Sequence, residues 1–390
     1  MKILRSSRAA AGLLAAAGLA GILSSPALAS ASTVRSHTTV RSGISDAVFV
    51  QTNDTSGNQI LAYSRASNGT LNLAHAYSTG GLGIALTGAI VDKLASQGSL
   101  TYDTAGSLLI AVNAGSDTIT TFQVSGDRLA NRHILAAGEI PVSVAVHGRL
   151  VEVLDAGGTG AVTGFRLGNS HLHPVAGSSR NLGLSRGAAP QYLNTPGQVA
   201  FTPNGSQLVV TTKANGSDID VFSVARSGQL GAAPVVNSSA TGVPFGVVFD
   251  PHGRLIVAEA ASSNLSSYAV DSDGSLTYGS SAPDGQAALC WVTAAGSYFY
   301  GANAGSANLS VFAENALGHL SLVSANSGIA ASTDGGPIDL ATSAGGSYLY
   351  SQNGGAGTID EFAVNGDGSL TSLGSVTGLG GTGMEGIVAS

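Results

Sequence analysis

Short apolar runs alternate with polar, glycine-containing turns along the chain from Ala47 to its C-terminal end. Each repeat has a polar residue at a turn, then an apolar residue, an aromatic residue and a turn of the Gly-x-Leu kind. The aromatic residue and the leucine are always seven or eight residues apart, as expected for two strands joined by a tight turn. Seven copies occur, with their aromatic residues at Tyr63, Phe122, Phe165, Phe222, Tyr268, Phe312 and Phe362. The pattern predicts a repeat protein built from β-hairpins.

Two further apolar runs precede the polar turn of each repeat. The first often opens with proline, as in Pro244–Val247, and the second follows a glycine turn, as in Leu255–Val257. Four antiparallel strands repeated seven times predict an all-β, seven-bladed β-propeller over residues 45–390. The repeats begin with a second-strand run, and residues 384–389 match the missing first strand. We therefore expect the N- and C-terminal strands to close one blade together, which removes open sheet edges.

Residues 1–29 have the pattern of an export signal. Three basic residues precede an apolar stretch from Ala9 to Leu23, and Ala27–Ala29 supplies a small-residue cleavage pattern. The apolar stretch is shorter than the about 20 residues that a membrane-spanning helix needs. Residues 30–44 are rich in Ser, Thr and Arg and are predicted to be a flexible lead-in. These patterns predict a secreted protein, of bacterial origin and without a membrane span.

Composition narrows the classes of function. Of 390 residues 43% are hydrophobic, enough for a core, and the 55 glycines lack the triplet period of collagen. The single Cys excludes an intramolecular disulfide and a Cys-rich zinc site, and we expect neither a metal nor a cofactor. The net charge is −7, without a basic cluster beyond the first eight residues, which argues against a nucleic-acid partner. We expect a monomer that takes a small molecule.

Strand alternation assigns residues to the central channel. The second and fourth positions of the first strands face the channel, and they are small or polar at most blades. Trp291, the one Trp of the chain, is the exception, and it is interpreted either as a hydrophobic plug or as a wall on which a ligand stacks. Gln198 and Asp339 belong to the same channel-facing column. Cys290 falls on the apolar side and is predicted to be a buried core residue rather than a reactive thiol.

Charged residues break the repeat at the turn between the second and third strands. Five repeats carry Asn or Asp there, whereas the fourth and fifth carry Lys213 and Glu259. Both would lie on one face of the ring, and Arg180 and Arg186 lie in the long crossover after the third blade. Solvated charges and an ion pair between blades are the alternatives to a functional role. The hypothesis is that these residues converge with Asp339 and Gln198 on one funnel.

Several turn sequences carry a resemblance to a known family. They include Thr202–Gly205, Asp250–Gly253 and Asn303–Ser306, together with Cys290–Trp291 and Met384–Ile387. The chain resembles the lactonase family of seven-bladed β-propellers, which includes 6-phosphogluconolactonase-like and carboxymuconate cyclase-like proteins. It looks most like the secreted bacterial branch of that family.

The resemblance implies an enzyme that hydrolyses or forms a cyclic ester. Ring opening needs a base and a cation that stabilises the oxyanion. The hypothesis assigns Glu259 as the base, with Asp339 second, and Lys213 or Arg186 as the cation. Trp291 would floor the pocket, with Gln198 and Arg180 as further substrate contacts. The alternative is a non-catalytic secreted propeller that binds a small ligand or a protein in the same funnel.

Overall fold

The computed structural model describes residues 46–168, 171–323, 325–377 and 383–390. The predicted export signal and lead-in lie outside the described residues. Within the described residues, seven antiparallel sheets of four or five strands form the blades of a ring, and the predicted all-β, seven-bladed propeller is confirmed. In every blade the chain passes from the innermost strand outwards. The exception is the innermost strand of the first blade, which is the last strand of the chain.

The first three blades occupy the N-terminal half of the ring. Blade one contains β1 (Ala47–Gln51), β2 (Gln59–Arg65) and β3 (Leu71–Ser78). Blade two contains β4 (Leu100–Asp103), β5 (Leu108–Asn113), β6 (Thr118–Ser125) and β7 (Arg128–Ala136). Blade three contains β8 (Pro141–His147), β9 (Leu150–Asp155), β10 (Ala161–Leu167), β11 (Leu172–Pro174) and β12 (Arg180–Asn181).

Four more blades complete the ring. Blade four contains β13 (Val199–Phe201), β14 (Gln207–Thr211), β15 (Asp218–Ser223) and β16 (Val235–Ser238). Blade five contains β17 (Pro244–Phe249), β18 (Leu255–Glu259), β19 (Asn264–Val270) and β20 (Leu276–Pro283). Blade six contains β21 (Leu289–Ala295), β22 (Tyr298–Asn303), β23 (Asn308–Glu314), β24 (Leu320–Leu322) and β25 (Ile329–Ser332). Blade seven contains β26 (Pro337–Thr342), β27 (Tyr348–Asn353), β28 (Thr358–Val364) and β29 (Leu370–Val376).

The ring closes through blade one. The last strand, β30 (Ile387–Ala389), pairs antiparallel with β1, so that Phe49 lies opposite Val388. The pairing continues beyond the strand, because the Gln51 amide donates to the Gly386 carbonyl at 3.0 Å. The predicted closure of one blade by the two terminal strands is confirmed.

Apolar contacts between neighbouring blades form the core. Within the described chain, each blade interface contains its own buried hydrophobic cluster, and the cluster between blades one and two includes Phe49 and Phe122. Second strands such as β14 and β18 are buried along their whole length, since both of their faces pack against a neighbouring blade. Outer strands such as β29 keep exposed polar positions. The low proportion of charged residues follows from this burial.

Helices are short and lie in connections. The helix α1 (Gln191–Asn194) belongs to the crossover between blades three and four, and a single 3₁₀ turn spans Ala325–Gly328 in blade six. None of the helices in the described part of the chain has the length and apolar character needed to cross a bilayer.

Candidate functional site

The crossover between blades one and two enters the central channel. Its residues 91–97, called here the channel segment, hydrogen-bond to the inner strands or their leads in three other blades. Ser96 Oγ donates to the Val142 carbonyl of blade three at 2.8 Å, and the Gln97 amide donates to the Gly197 carbonyl before blade four at 3.1 Å. A segment that contacts several inner strands lies across the channel and closes it at this level.

Gln97 fastens the channel segment to blade six. Its Nε2 donates to the Val292 carbonyl at 2.9 Å, and the Val292 amide donates back to Gln97 Oε1 at 3.1 Å. The side-chain amide therefore replaces a neighbouring strand at the inner edge of β21. A Cβ added at Gly246 would lie 2.2 Å from Gln97 Oε1, so the glycine makes room for this contact.

Lys213 is fully buried beneath the channel segment. Its Nζ donates to the carbonyls of Ala95 at 2.6 Å and Tyr192 at 2.5 Å, and to Thr195 Oγ1 at 3.0 Å. The Phe245 ring lies 5.1 Å from Nζ. Burial lowers the pKa of Lys213 to about 7, against the opposing charge of Asp92. All three ammonium protons have acceptors, so Lys213 holds α1 and the channel segment together.

Two carboxyl groups, Asp92 and Glu385, meet in the channel and share a hydrogen bond. The amides of Lys93 and Leu94 donate to Glu385 Oε1, and the Ser96 amide donates to Asp92 Oδ2 at 3.1 Å. Burial and the charge of Asp92 raise the pKa of Glu385 well above its ordinary value, so Glu385 carries the shared proton.

Asp339 lies close to this pair. Its Oδ2 accepts the Ile387 amide at 3.4 Å, and its backbone adopts a φ of +43° at an irregularity in the pairing of β26 with β27. Burial raises the pKa of Asp339 to about 7, and the charge of Asp92 adds to the rise. Asp339 therefore links blade seven to the closing strand at the centre of the ring.

An apolar cavity of about 450 Å³ lies above the channel segment. Its walls come from α1, from the leads into blades five and six, and from the turns after β18 and β22. Tyr192, Phe245 and Trp291 supply its aromatic surface, and Asp92 and Cys290 also reach it. We call this space the apolar cavity. Its volume lies in the range typical of small-molecule sites.

Trp291 contacts the channel segment and also lines the apolar cavity. Its indole donates to the Ser96 carbonyl at 3.1 Å, and its ring packs edge-on against Phe245 at 5.1 Å. It fixes the channel segment and also forms a wall of the apolar cavity. Cys290 is buried, as predicted, and burial raises the pKa of its thiol to about 12, so the thiol stays protonated.

Glu259 points into blade five and does not line the apolar cavity. Its Oε1 accepts from Tyr268 Oη at 2.6 Å, and its Oε2 accepts from Ser266 Oγ at 2.7 Å and from Thr241. In blade six, Asn303 also bonds a hydroxyl seven residues further on, but as the donor, from its Nδ2 to Ser310 Oγ at 2.8 Å. Glu259 therefore hydrogen-bonds within blade five from the turn position that Asn303 occupies in blade six.

The remaining predicted site residues are dispersed. Gln198 Oε1 accepts the Val247 amide at 2.6 Å and bridges blades four and five. Arg180 lies on β12, where its guanidinium donates to the carbonyls of Gly231 and Leu230 among others. Arg186 lines a different cavity. The structure brings Lys213, Asp339 and Trp291 to the channel segment, and it does not bring Glu259, Gln198 or either arginine to the apolar cavity.

Sequence reasoning missed Asp92, Glu385 and Gln97. Asp92 and Lys93 are adjacent charges in a crossover of mostly apolar and small residues, and Glu385 is a carboxyl within a predicted inner strand. Asp92 and Glu385 could therefore have been noticed in the sequence as charged residues among apolar and small ones. Within the described residues there is no group of His, Cys, Asp and Glu that could hold a metal ion.

No family model and no curated protein sequence matches this chain. Solved structures do match it. A protein from Lactobacillus plantarum superposes with a TM-score of 0.68 at 18% identity, over 89% of this chain and 99% of that one. The periplasmic gluconolactonase PpgL of Pseudomonas aeruginosa has a TM-score of 0.67 at 19% identity, over 87% and 98%.

A proposed 6-phosphogluconolactonase from Bacteroides uniformis has a TM-score of 0.66 at 17% identity, over 89% of this chain and 100% of that one. These comparisons show the fold. The chain has the seven-bladed propeller fold of lactonase-like proteins, in agreement with the resemblance carried by its turn sequences.

Proposed function

We propose that the protein is an exported, monomeric, lactonase-like propeller that takes a small, largely apolar cyclic ester into the apolar cavity. The observation that carries this proposal is the lining of the cavity, which combines Phe245, Trp291 and several Ala residues with one acidic residue, Asp92. An apolar wall favours alkyl-substituted lactones over sugar lactones, whose hydroxyl groups would lose their hydrogen bonds with water. The fold shared with a gluconolactonase supports the ester class.

Asp92 is the group that can act on such a substrate. In this proposal its carboxylate accepts a proton from a water molecule, and the water oxygen attacks the lactone carbonyl carbon. The ring C–O bond breaks as the tetrahedral intermediate collapses, and the leaving alkoxide takes the proton back from Asp92. Burial raises the pKa of Asp92, and the hydrogen bond from Glu385 and the nearby charge of Lys213 oppose that rise.

A non-catalytic binding protein is the second candidate. It is favoured by the hydrogen bonds that Asp92 already makes within the protein, since Oδ1 accepts the Ala95 amide at 2.5 Å and Oδ2 accepts the Ser96 amide at 3.1 Å. A cavity whose polar groups are occupied internally binds an apolar ligand without needing to react with it.

Hydrolysis of a series of γ- and δ-lactones with increasing alkyl chains, followed by acid release, tests the proposal. We expect the wild-type protein to prefer longer alkyl chains to glucono-δ-lactone, and we expect Asp92→Asn to reduce the rate by tenfold or more. Asp284→Asn, at a buried carboxyl in the lead into blade six, is the control and should retain the rate. Binding without hydrolysis would favour the second candidate, and neither binding nor hydrolysis would contradict both.

Export is tested separately. Expression of the whole chain in a secreting bacterial host, followed by N-terminal sequencing of protein from the medium, should give a first residue of Ser30. Retention of an uncleaved chain inside the cells would contradict this part of the proposal. Elution at the volume of a dimer in size-exclusion chromatography would contradict the monomer.

A further inference from the structure

A second cavity, of about 410 Å³, lies on the other side of α1. Tyr192 and Leu193 of this helix line the apolar cavity, whereas Gln191 and Asn194 line the second one. Its lining also includes Glu139, Arg186, Thr195 and Asn215, so it carries more polar side chains than the apolar cavity does. We call this space the polar cavity.

Two opposite charges line the polar cavity. Glu139 precedes blade three and Arg186 lies in the crossover after it, and both side chains are exposed. Neither forms an ion pair or a side-chain hydrogen bond with another residue in the part of the chain that the structure describes. The carboxylate of Glu139 and the guanidinium of Arg186 therefore line one cavity without a protein partner, and both are available to a ligand.

The backbone around both charges is held in place. Asn215 Oδ1 accepts the Ser185 amide at 3.0 Å, and Asn215 Nδ2 donates to the Ser185 carbonyl at 3.2 Å, which fixes the residue next to Arg186. The Gly157 amide donates to the Glu139 carbonyl at 2.8 Å. A Cβ added at Gly157 would lie 2.3 Å from Glu139 Cγ, so the glycine provides the space that this side chain occupies.

We propose that the polar cavity binds a small zwitterion, a free amino acid or a dipeptide, with its carboxylate on Arg186 and its ammonium group on Glu139. A guanidinium binds a carboxylate through two parallel hydrogen bonds. A dicarboxylate would meet repulsion from Glu139, and a diamine would meet repulsion from Arg186, so the pair selects a ligand that carries both charges. The inference uses different residues from the proposed lactone site and does not depend on it.

Isothermal titration calorimetry with neutral amino acids and glycylglycine tests the inference, with acetate and methylammonium as probes of the half sites. We expect at least one zwitterion to bind the wild-type protein, and both single-charge probes to bind more weakly. Arg186→Gln and Glu139→Gln should each weaken zwitterion binding about tenfold or more, the loss of one charge-assisted contact. Arg226→Gln, at an exposed arginine outside the cavity, is the matched control and should bind like the wild type.

Gly157→Ala supplies an independent variant, because its Cβ displaces Glu139 while both charges are retained. We expect it to weaken binding of the zwitterion and leave acetate binding unchanged. The absence of binding by every zwitterion at millimolar concentration would overturn the inference. So would a loss of affinity in Arg226→Gln equal to that in Arg186→Gln. Lactone hydrolysis by Glu139→Gln should equal that of the wild type, so the two proposals fail separately.

Discussion

The carboxyl groups of Asp92 and Glu385 are hydrogen-bonded to each other at the centre of the propeller. Glu385 Oε1 accepts the amides of Lys93 and Leu94, and burial and the charge of Asp92 raise the pKa of Glu385, so the proton of the pair resides on Glu385. The pair joins the channel segment to the residues that lead into the closing strand. The same hydrogen bond therefore joins the segment that closes the channel to the strand that closes the ring.

The location of that proton predicts the behaviour of two substitutions at Glu385. In Glu385→Gln, the side-chain oxygen can accept the same amides and the NH₂ group can donate to Asp92, so we expect the free energy of unfolding to change by about 1 kcal/mol or less. Glu385→Ala leaves Asp92 and two amides without their partner and should cost about 3 kcal/mol or more. Urea unfolding at neutral pH compares the two. Equal losses would show that the proton does not reside on Glu385.

Asp339 and Lys213 predict opposite dependences of stability on pH. The ordinary pKa of Asp is 3.8, and that of Asp339 in the folded protein is about 7, so the folded state holds the extra proton between these values. Stability should therefore fall as pH rises through this window. Lys213 has a folded pKa of about 7 against an ordinary 10.5, so the unfolded state holds the extra proton there and stability should rise with pH.

Thermal unfolding of Asp339→Asn and Lys213→Met separates the two effects. Asn tolerates a positive φ, so Asp339→Asn preserves the backbone at this position. Its Tm relative to wild type should rise between pH 4 and 7, and that of Lys213→Met should fall above pH 7. Curves of Tm against pH that run parallel to the wild-type curve would contradict the assigned titrations.

Glu259→Gln should lower stability without altering ligand binding. The carboxylate of Glu259 accepts hydrogen bonds from Tyr268, Ser266 and Thr241. In Glu259→Gln, the side-chain NH₂ group replaces one of the accepting oxygens and would face hydroxyl groups that are themselves donors. We expect a loss of about 2–4 kcal/mol in the free energy of unfolding. Ligand affinity of the folded protein, measured well below the Tm, should be unchanged. A selective loss of lactone turnover in a fully folded sample would restore Glu259 as a catalytic candidate.

Trp291 reports directly on the apolar cavity. It is the single Trp of the chain, it is buried, and it lines the cavity, so its fluorescence should respond to a ligand that enters there. We expect an alkyl lactone to change the emission intensity in a saturable way, and glucono-δ-lactone to do so more weakly. Leu193→Glu, which places a charge in the cavity wall, should weaken the response about tenfold or more. An unchanged titration in that variant would place the ligand elsewhere.

The fold could be predicted from the sequence because its signal is repeated. Aromatic residues such as Phe222 and Phe312 recur at fixed spacing from their leucines, and each blade buries the same positions against its neighbour. Ring closure was equally visible, since the strand at 384–389 completes the pattern that Ala47 begins. Repetition averages out the local ambiguity that makes a single strand hard to assign.

The site was predicted less well because it does not follow the repeat. The channel segment belongs to one crossover, and its path across the channel depends on contacts such as that of Gln97 with Val292, which no periodicity encodes. Glu259 looked exceptional by residue type, but its carboxylate bonds a hydroxyl seven residues further on, as the side-chain amide of Asn303 does at the equivalent turn of blade six. Lys213 was singled out by residue type, but the Ala95 carbonyl that accepts from its ammonium group lies 118 residues away in the chain.

The pairing of β1 with β30 has a consequence for the order in which the protein is made. The Ala47 amide donates to Ser390 Oγ across a separation of 343 residues, so the blade that leaves the ribosome first is completed last. Such long-range contacts slow folding, because the entropy of closing the loop is lost before the contacts are gained. Blade one lacks its inner strand until residues 387–389 have been made, so the ring cannot close before then.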